Sequence, residues 1–477
     1  MQMIGDSERG STWTSVLLGI QAREIHLCGD PTAIPIVEKL CAQMGEQVMV
    51  NRYERMTPLH VEKNSLNEDI TQIRDRDCVV AFSRKDLYSI KRLIETEIDK
   101  KCCIIYGSLP SRVRSEQAEM FNDRTSGYNV LVASNAIGMG LNLDIERVVF
   151  FKTKMFRKGQ GNRKMDLSLC RQVAGRAGRR GFYKNGLVTT FSGDNLNYVK
   201  YCVELKPDAI PNIVKAGLYP DFNMLQKFAN KTYPGEQPKL HVVLKQFVAL
   251  SSINDDFFMC NQEDNITLSE AIQGLNMSFK EQFTFSRAPA QVYVERCMDS
   301  FMNYAKEFCS SNYILIPIGI SEEDLHNRMK LFEEAIDLIK NLSNEQQEIQ
   351  SEVIEPILND LSRYSYDFED DNRVILLYQW LAQRYPLRFD APLATRMSNL
   401  VSDYIMRVFQ LQTNHNLLSA KKTRPIEKRK QFAERRQFAE KKNVDNAEPQ
   451  SRKFANKKFT DELDKLFIEG RSKFIKK

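Results

Sequence analysis

The segment Gln172-Val173-Ala174-Gly175-Arg176-Ala177-Gly178-Arg179-Arg180-Gly181 sets two arginines three positions apart among glycines and alanines. Guanidinium groups stay charged and meet phosphate oxygens through paired N–H donors. Continued as a helix from the pattern that starts near Asp166, the spacing puts Arg176 and Arg179 on one face, with small residues around them that let a phosphate approach. A solvated basic loop closed by a glycine turn is the plainer alternative. Upstream, the run NVLVAS opens into Ser134-Asn135-Ala136-Ile137-Gly138-Met139-Gly140-Leu141-Asn142-Leu143. A strand ending in a glycine-containing turn is where α/β sheets place ligands, although glycine also serves ordinary turns.

These segments need elements to hold them. Strand-like runs cover 24–29, 47–53, 77–83, 101–108, 128–134, 146–151 and 186–192, with helical stretches such as 83–98 and 111–123 between them. Strands alternating with helices predict parallel sheets covered on both faces. Thr57 to Arg76 is polar and reads as a connection between two such sheets. A helix around Thr14 to Ala22 and two strands cannot bury both faces of a first sheet, so residues 1–55 read as the end of a larger domain with apolar surface exposed. Past residue 205 the strand signal fades, and 290–309, 322–342 and 373–385 carry amphipathic helical patterns. After 412 the chain turns polar and basic, with QFAE at 431–434 and again at 437–440, and a disordered arm is expected. The expected order is thus 1–55, 56–204 with a complete sheet, 205–412 helical, and a tail over 413–477.

Composition narrows the function classes. With 42% apolar and 27% charged residues over 477 positions, the chain has the balance of a soluble multidomain protein. It holds no apolar run long enough to cross a bilayer, and membrane function is not expected. Ten cysteines lie scattered without a CxxC spacing and histidines number five, which predicts free thiols and no metal site built from protein ligands. The net charge of +6 is uneven: residues 421–477 hold 19 Lys+Arg against 9 Asp+Glu, while the rest holds 49 against 53. A basic tail on a near-neutral body either contacts polyanions or stays solvated.

Taken together, HLCGDP (26–31), VVAFSRKDLYSIK (79–91), IIYGSLP (104–110), ASNAIGMGLNLDIERVVF (133–150) and QVAGRAGRRG (172–181) resemble the suppressor-of-var family of mitochondrial degradosome RNA helicases, in superfamily 2. MSFKEQFTFSRAPA (277–290) and YPLRFDAP (385–392) extend the resemblance over most of residues 1–410. It implies a RecA-like second helicase domain, a partial first one, a helical C-terminal domain, and ATP-driven unwinding of RNA for degradation. Arg176 and Arg179 would be arginine fingers on the γ-phosphate. Gln172 would contact nucleotide or couple it to RNA, Gly175, Gly140 and Asn142 would line the nucleotide cleft, and Asn135 stands at the ribose contact. Ser134, Ser83 and Arg84 would touch the RNA backbone; for Ser83 and Arg84 a helix cap and a surface charge fit as well. ATP with Mg²⁺ is the implied cofactor set, single-stranded or partly duplex RNA the partner, with an exoribonuclease beside it. The mitochondrial matrix is the implied location and the nucleus a second.

Two departures qualify the resemblance. Asn135 replaces an aspartate, which removes a charge from the ribose contact. No GxxxxGK[ST] loop occurs, and Met1-Gln2 aligns with the end of the family's acidic box, so only Gln2 of that box remains. The expectation is a truncated helicase unable to hydrolyse ATP unaided; the alternatives are a non-catalytic RNA- or partner-binding module and a DNA-directed helicase, since backbone contacts carry little base information.

Overall fold

Successive side chains of a strand point to opposite faces, and in a parallel sheet covered twice both sets are apolar. Cys78 and Val80 face one way and Val79 and Ala81 the other, and all four are fully buried. A computed structural model of the chain describes residues 1–138, 140–157, 161–205, 209–316, 320–345 and 367–422. Helices α1 (Gly10–Gly19) and α2 (Ile34–Gln43) come first. The main sheet follows as β1 (Leu59–Val61), β2 (Asp77–Val80), α3 (Arg84–Glu97), β3 (Lys101–Ile105), α4 (Ser111–Asn122), β4 (Tyr128–Ala133) and β5 (Arg147–Phe150). A hairpin of β6 (Lys154–Arg157) and β7 (Gly161–Lys164) then precedes α5 (Leu167–Ala174), β8 (Gly186–Thr190) and α6 (Leu196–Glu204). The six strands run parallel in the order β1-β8-β5-β2-β4-β3.

Each face has its own cover. Beneath one, Cys170 and Val173 of α5 and Val199 and Cys202 of α6 close over Leu131, Val148 and Val188. On the other, Leu87, Ile90 and Ile94 of α3 form an apolar stripe at helical spacing. That face merges into the helical region: the helix Glu295–Ser310, a helix over 367–382 and a long helix Ala391–Lys422 share one core with the sheet. The last of these reaches α3 through a buried cluster in which Lys91 pairs with Glu95, and Thr413 Oγ1 donates to Glu95 Oε1 at 2.9 Å.

One ion pair sits inside the sheet. Asp77 and Arg147 are register partners on β2 and β5, both 1% exposed, and bond through two N–H donors at 2.9 and 2.6 Å. Arg147 also reaches Glu62 at 3.1 Å and the Gln72 carbonyl at 2.9 Å. Burial works against its charge, but Asp77 and Glu62 hold its pKa above the usual arginine value. Glu369, also fully buried, accepts from the Tyr106 hydroxyl, from Ser108 Oγ at 2.7 Å and from Arg84 Nη1 at 3.1 Å, and so ties the helical region to the ends of β3 and α3.

The structure corrects several expectations. Residues 24–29 and 47–53 form no strand, because no neighbouring strand offers backbone partners. Residues 1–55 instead contribute two helices that pack on later chain: Leu17, Ile36, Val37 and Leu40 share a small core with Ala216 and Phe257. Gly10 and Gly217 permit that approach, since a Cβ on Gly10 would lie 3.3 Å from Gly217 Cα and one on Gly217 2.9 Å from the Ser11 amide nitrogen. Apolar side chains are left uncovered here, Met49 and Tyr53 most of all at 85% and 90% exposed. The connection over 57–76 supplies the edge strand β1. Past residue 205, where only helices were expected, Ala216–Leu218 and Phe257–Met259 pair as short parallel strands. Residues 423–477, with the repeated QFAE, lie outside the described residues, as does Met139.

Two outcomes follow. Arg147→Met should leave Asp77 as a buried, unpaired charge and lower the unfolding free energy by about 3–5 kcal/mol in urea titration. Burial is the largest influence on the Glu369 carboxyl and raises its pKa, while Tyr106, Ser108 and Arg84 pull the other way. A carboxyl raised in the folded state contributes its full stability below the ordinary glutamate value and loses it as pH climbs through the raised value. Wild type should therefore lose more stability than Glu369→Gln does as pH is raised from the ordinary glutamate value toward neutrality, read as urea midpoints.

Candidate functional site

The site forms where β4 ends and α5 runs out. The Ser134 amide donates to the Ile105 carbonyl at 2.9 Å and Ser134 Oγ accepts from the Ala136 amide at 3.1 Å, turning the chain into a short helical turn, Asn135–Gly138. Gly140 follows with φ +78°, a left-handed conformation that suits glycine. α5 begins after Asp166 and buries Cys170, Val173 and Ala174, which turns Gln172 outward toward the β4 turn. Its helical geometry ends at Ala174, so Arg176 and Arg179 lie in the loop beyond it and not on a shared helix face. Gly175 is followed by a tight passage that extends the helix no further: Gly178 has φ +74°, and a Cβ there would meet Gly186 Cα at 2.5 Å.

The Gly138 carbonyl gathers the site. Gln172 Nε2 donates to it at 3.2 Å, as do Arg176 Nε at 3.0 Å and Arg176 Nη2, while Arg176 Nη1 donates to the Leu141 carbonyl at 3.2 Å. Burial pulls the Arg176 pKa below the usual value. A half-buried cation held only by carbonyl dipoles is ready to exchange them for an anion. Arg179 lies over the Phe182 ring at 5.0 Å, and Arg124 lies 5.4 Å from the same ring.

Arg176 borders two clefts. One, of about 330 Å³, is lined by Arg55, Asn142, Gly175, Arg179 and Arg180 among others, with no carboxylate. The other, of about 450 Å³, lies between the N-terminal segment and α5, where Gln2, Trp13 and Gly29 face Gly138 and Gln172. Four arginines around the first cleft make it a site for anions, phosphate oxygens above all.

Sequence reasoning missed Arg55. Its Nε donates to the Thr57 carbonyl and its Nη1 to the Gly175 carbonyl, both at 2.6 Å, and its Nη2 to the Ala177 carbonyl. It thus satisfies the free carbonyls at the end of α5, where a cation is favoured. Nothing in its sequence neighbourhood marks it. The hairpin β6–β7, which sets a 73% exposed Phe156 beside Lys154 and Arg157, was missed as well.

Other expected residues stand elsewhere. Ser83 caps α3, accepting from the Asp86 amide at 3.0 Å, and Arg84 is turned to Glu369, so both are engaged within the protein. Ser134 is nearly buried, and Asn135 is exposed on the turn but lines neither cleft. Among the described residues, no group of His, Cys, Asp and Glu is placed to hold a metal ion, and no helix is long and apolar enough to cross a membrane.

Comparison with known proteins bears on these segments in chain order. The DEXQ-box helicase domain of Suv3 matches residues 1–53, the helicase conserved C-terminal domain 62–181, and Suv3 C-terminal domain 1 residues 267–309. The mitochondrial ATP-dependent RNA helicase SUV3L of Oryza sativa subsp. japonica is 39% identical over 70% of this chain and 45% of its own. Mitochondrial DExH18 of Arabidopsis thaliana is 36% identical over 70% and 42%, and mitochondrial SUPV3L1 of Homo sapiens 36% over 65% and 39%. The chain therefore spans less than half the length of these three relatives. A solved structure of the E. coli DExH-box NTPase HrpB aligns at 12% identity over 51% of this chain and 33% of that one, with a TM-score of 0.28, too slight a likeness to bear on the fold. With three matches in order, the arginine loop inside the second, and relatives at this identity, the chain belongs to the Suv3 family of the helicase superfamily.

Proposed function

We propose that the chain works as part of an ATP-dependent RNA helicase that opens RNA for degradation. The observation that carries this is the convergence of Gln172 and Arg176 on the Gly138 carbonyl, at the border of two clefts. On this reading Arg176 and Arg179 stabilise the charge that develops on the γ-phosphate as it transfers to water. An arriving phosphate takes Arg176 from the Gly138 and Leu141 carbonyls, and the turn after β4 is released or reset. Gln172 senses the same exchange, because it shares that carbonyl. Gly175 and Asn142 line the first cleft, Gly140 stands on the turn beside it without lining either cleft, and Asn135 and Ser134 stand where the turn would meet ribose and RNA backbone. Arg55 keeps the arginine loop in register from the linker side.

Mg²⁺ is proposed to arrive with the nucleotide. Neither cleft is lined by a carboxylate, so these residues do not fit a protein-held ion and no step is assigned to it. The proposed units are a first RecA-like portion at 1–55, a second RecA-like domain at 56–204, a helical domain at 205–412 and a tail at 413–477. Relatives named mitochondrial support a mitochondrial location; the matrix is the proposed compartment and the nucleus a second, and an exoribonuclease is the proposed consumer of the opened strand.

RNA-stimulated ATP hydrolysis tests the reading, measured on this chain and on the chain joined behind the nucleotide-binding half of a relative. Stimulated turnover that falls by about 10³ or more in Arg179→Ala supports it. If both forms bind RNA and neither hydrolyses ATP, a non-catalytic RNA-binding module is the better description. Arg55→Ala should lower kcat about tenfold with the KM for ATP little changed, and Arg55→Lys should recover part of the loss, since one carbonyl contact can be remade.

A further inference from the structure

Three arginines of the helical region pair with none of its acidic residues among the described residues; one, Arg388, donates to the Phe308 and Ser311 carbonyls, which leaves Arg287 and Arg384. Helix 367–382 opens with Glu369, Asp370 and Asp371, and the arginines around it are paired: Arg296 and Arg328 with Asp371, Arg373 with Asp370. Arg287, just past the helix Phe279–Ser286, and Arg384, just past 367–382, meet no carboxylate among the described residues. Each rests on aromatic rings instead. The Arg384 guanidinium lies 3.4 Å from the Trp380 ring centroid, and that of Arg287 lies 4.6 Å from Tyr219 and 5.6 Å from Phe283.

These platforms are fixed from below. Asn265 Nδ2 donates to the Tyr219 hydroxyl, and Phe283 packs on Phe222 with ring centroids 5.6 Å apart. Arg384 uses one donor, to the Trp380 carbonyl at 3.0 Å, and the other N–H groups of the pair bond no described protein atom. Phe285 and Tyr385 pack with ring centroids 6.0 Å apart, which brings the chain that carries Arg287 beside the chain that carries Arg384, and after burial the charge of Arg287 lowers the Arg384 pKa, with Tyr385 acting the other way. A shared anion would relieve that repulsion.

We propose that Arg287 and Arg384 form a single-stranded RNA contact on the helical region, binding backbone phosphates through their free N–H edges and a base against a guanidinium plane. Phosphate matches the paired donors, and a planar cation already stacked on a ring extends the stack for a base. An acidic peptide could satisfy the charge but would leave the planes unused. The proposal takes its ligand from the RNA reading above, yet it does not require ATP turnover by this chain.

Fluorescence anisotropy with a labelled oligouridylate, over a range of salt concentrations, tests it on the full chain. Arg287→Ala/Arg384→Ala should weaken binding about tenfold near physiological salt and reduce the slope of log K against log salt by about 1.4, two phosphate contacts at about 0.7 each. The double lysine variant should keep the slope and lose affinity, because it retains charge without planes; both variants should melt as wild type does. Unchanged affinity and slope in the alanine variant overturn the proposal, as does wild type that binds no RNA. Displacement by polyglutamate as effective as by unlabelled RNA at equal charge overturns the assignment to RNA. A chain that binds RNA through this pair and hydrolyses no ATP leaves the contact standing while the ATPase reading falls.

Discussion

Six parallel strands with apolar side chains on both faces must be covered twice, and that requirement arranges the rest of the molecule. Helices α5 and α6 cover one face with residues drawn from the segment that also carries the arginines. The other face is covered only in part by α3, and the chain completes the cover some three hundred residues later with the helix Ala391–Lys422. The charged groups named above enter this double core in compensated form. Asp77 and Arg147 satisfy each other across neighbouring strands, Lys91 and Glu95 meet Thr413, and Glu369 meets three donors. Such groups add little net stability over apolar ones, but each tolerates only one docking geometry, and in that sense they specify how the helical region sits on the sheet.

The arginine loop inherits its position from the same packing. Buried Cys170 and Val173 set the rotation of α5, which directs Gln172 to the β4 turn. Beyond Ala174 the loop is held by backbone contacts: the Gly178 amide donates to the Ile145 carbonyl at 2.8 Å, and Arg55 grips two carbonyls from the opposite side. Glycine at 178 is required by close approach as well as by its backbone angle, since a side chain there would strike β8. The charged groups can therefore stay mobile at their tips while the chain that carries them is fixed.

What could be read beforehand follows from which forces are local. Periodicity in residues 77–83, 101–108, 128–134 and 186–192 located four strands of the main sheet within a few residues, since those runs are short, apolar and bounded by turns. The same pattern at 24–29 and 47–53 misled, because a strand is completed by its neighbour and the propensity of the run does not reveal whether one is present. Arg176 and Arg179 stood out by type and spacing, and Gln172 through the family resemblance, but their geometry did not: the small residues that suggested a helix face instead close the helix and begin a loop. For Ser83 and Arg84 the sequence left RNA contact and a helix cap with a surface charge side by side, and the structure has the cap and an ion pair whose partner Glu369 lies 285 residues from Arg84. Arg55 bonds only to main-chain oxygens, and carbonyls leave no mark in a sequence.

The placement of the N-terminal segment bears on how the site could respond to a ligand. Residues 1–55 hold a core of their own with Ala216 and Phe257, whereas the sheet and the later helices share another. The 450 Å³ cleft lies between these separately packed bodies, with Gln2 and Gly29 on one wall and Gln172 and Arg176 on the other. A ligand that touches both walls binds more tightly when they approach, so its binding free energy favours closure in proportion to that difference. One that touches a single wall shifts nothing. Because Arg176 also borders the second cleft, withdrawing its side chain toward an anion on either side changes the contacts available on the other. Coupling between the clefts then needs no long pathway, only one guanidinium with two sets of acceptors.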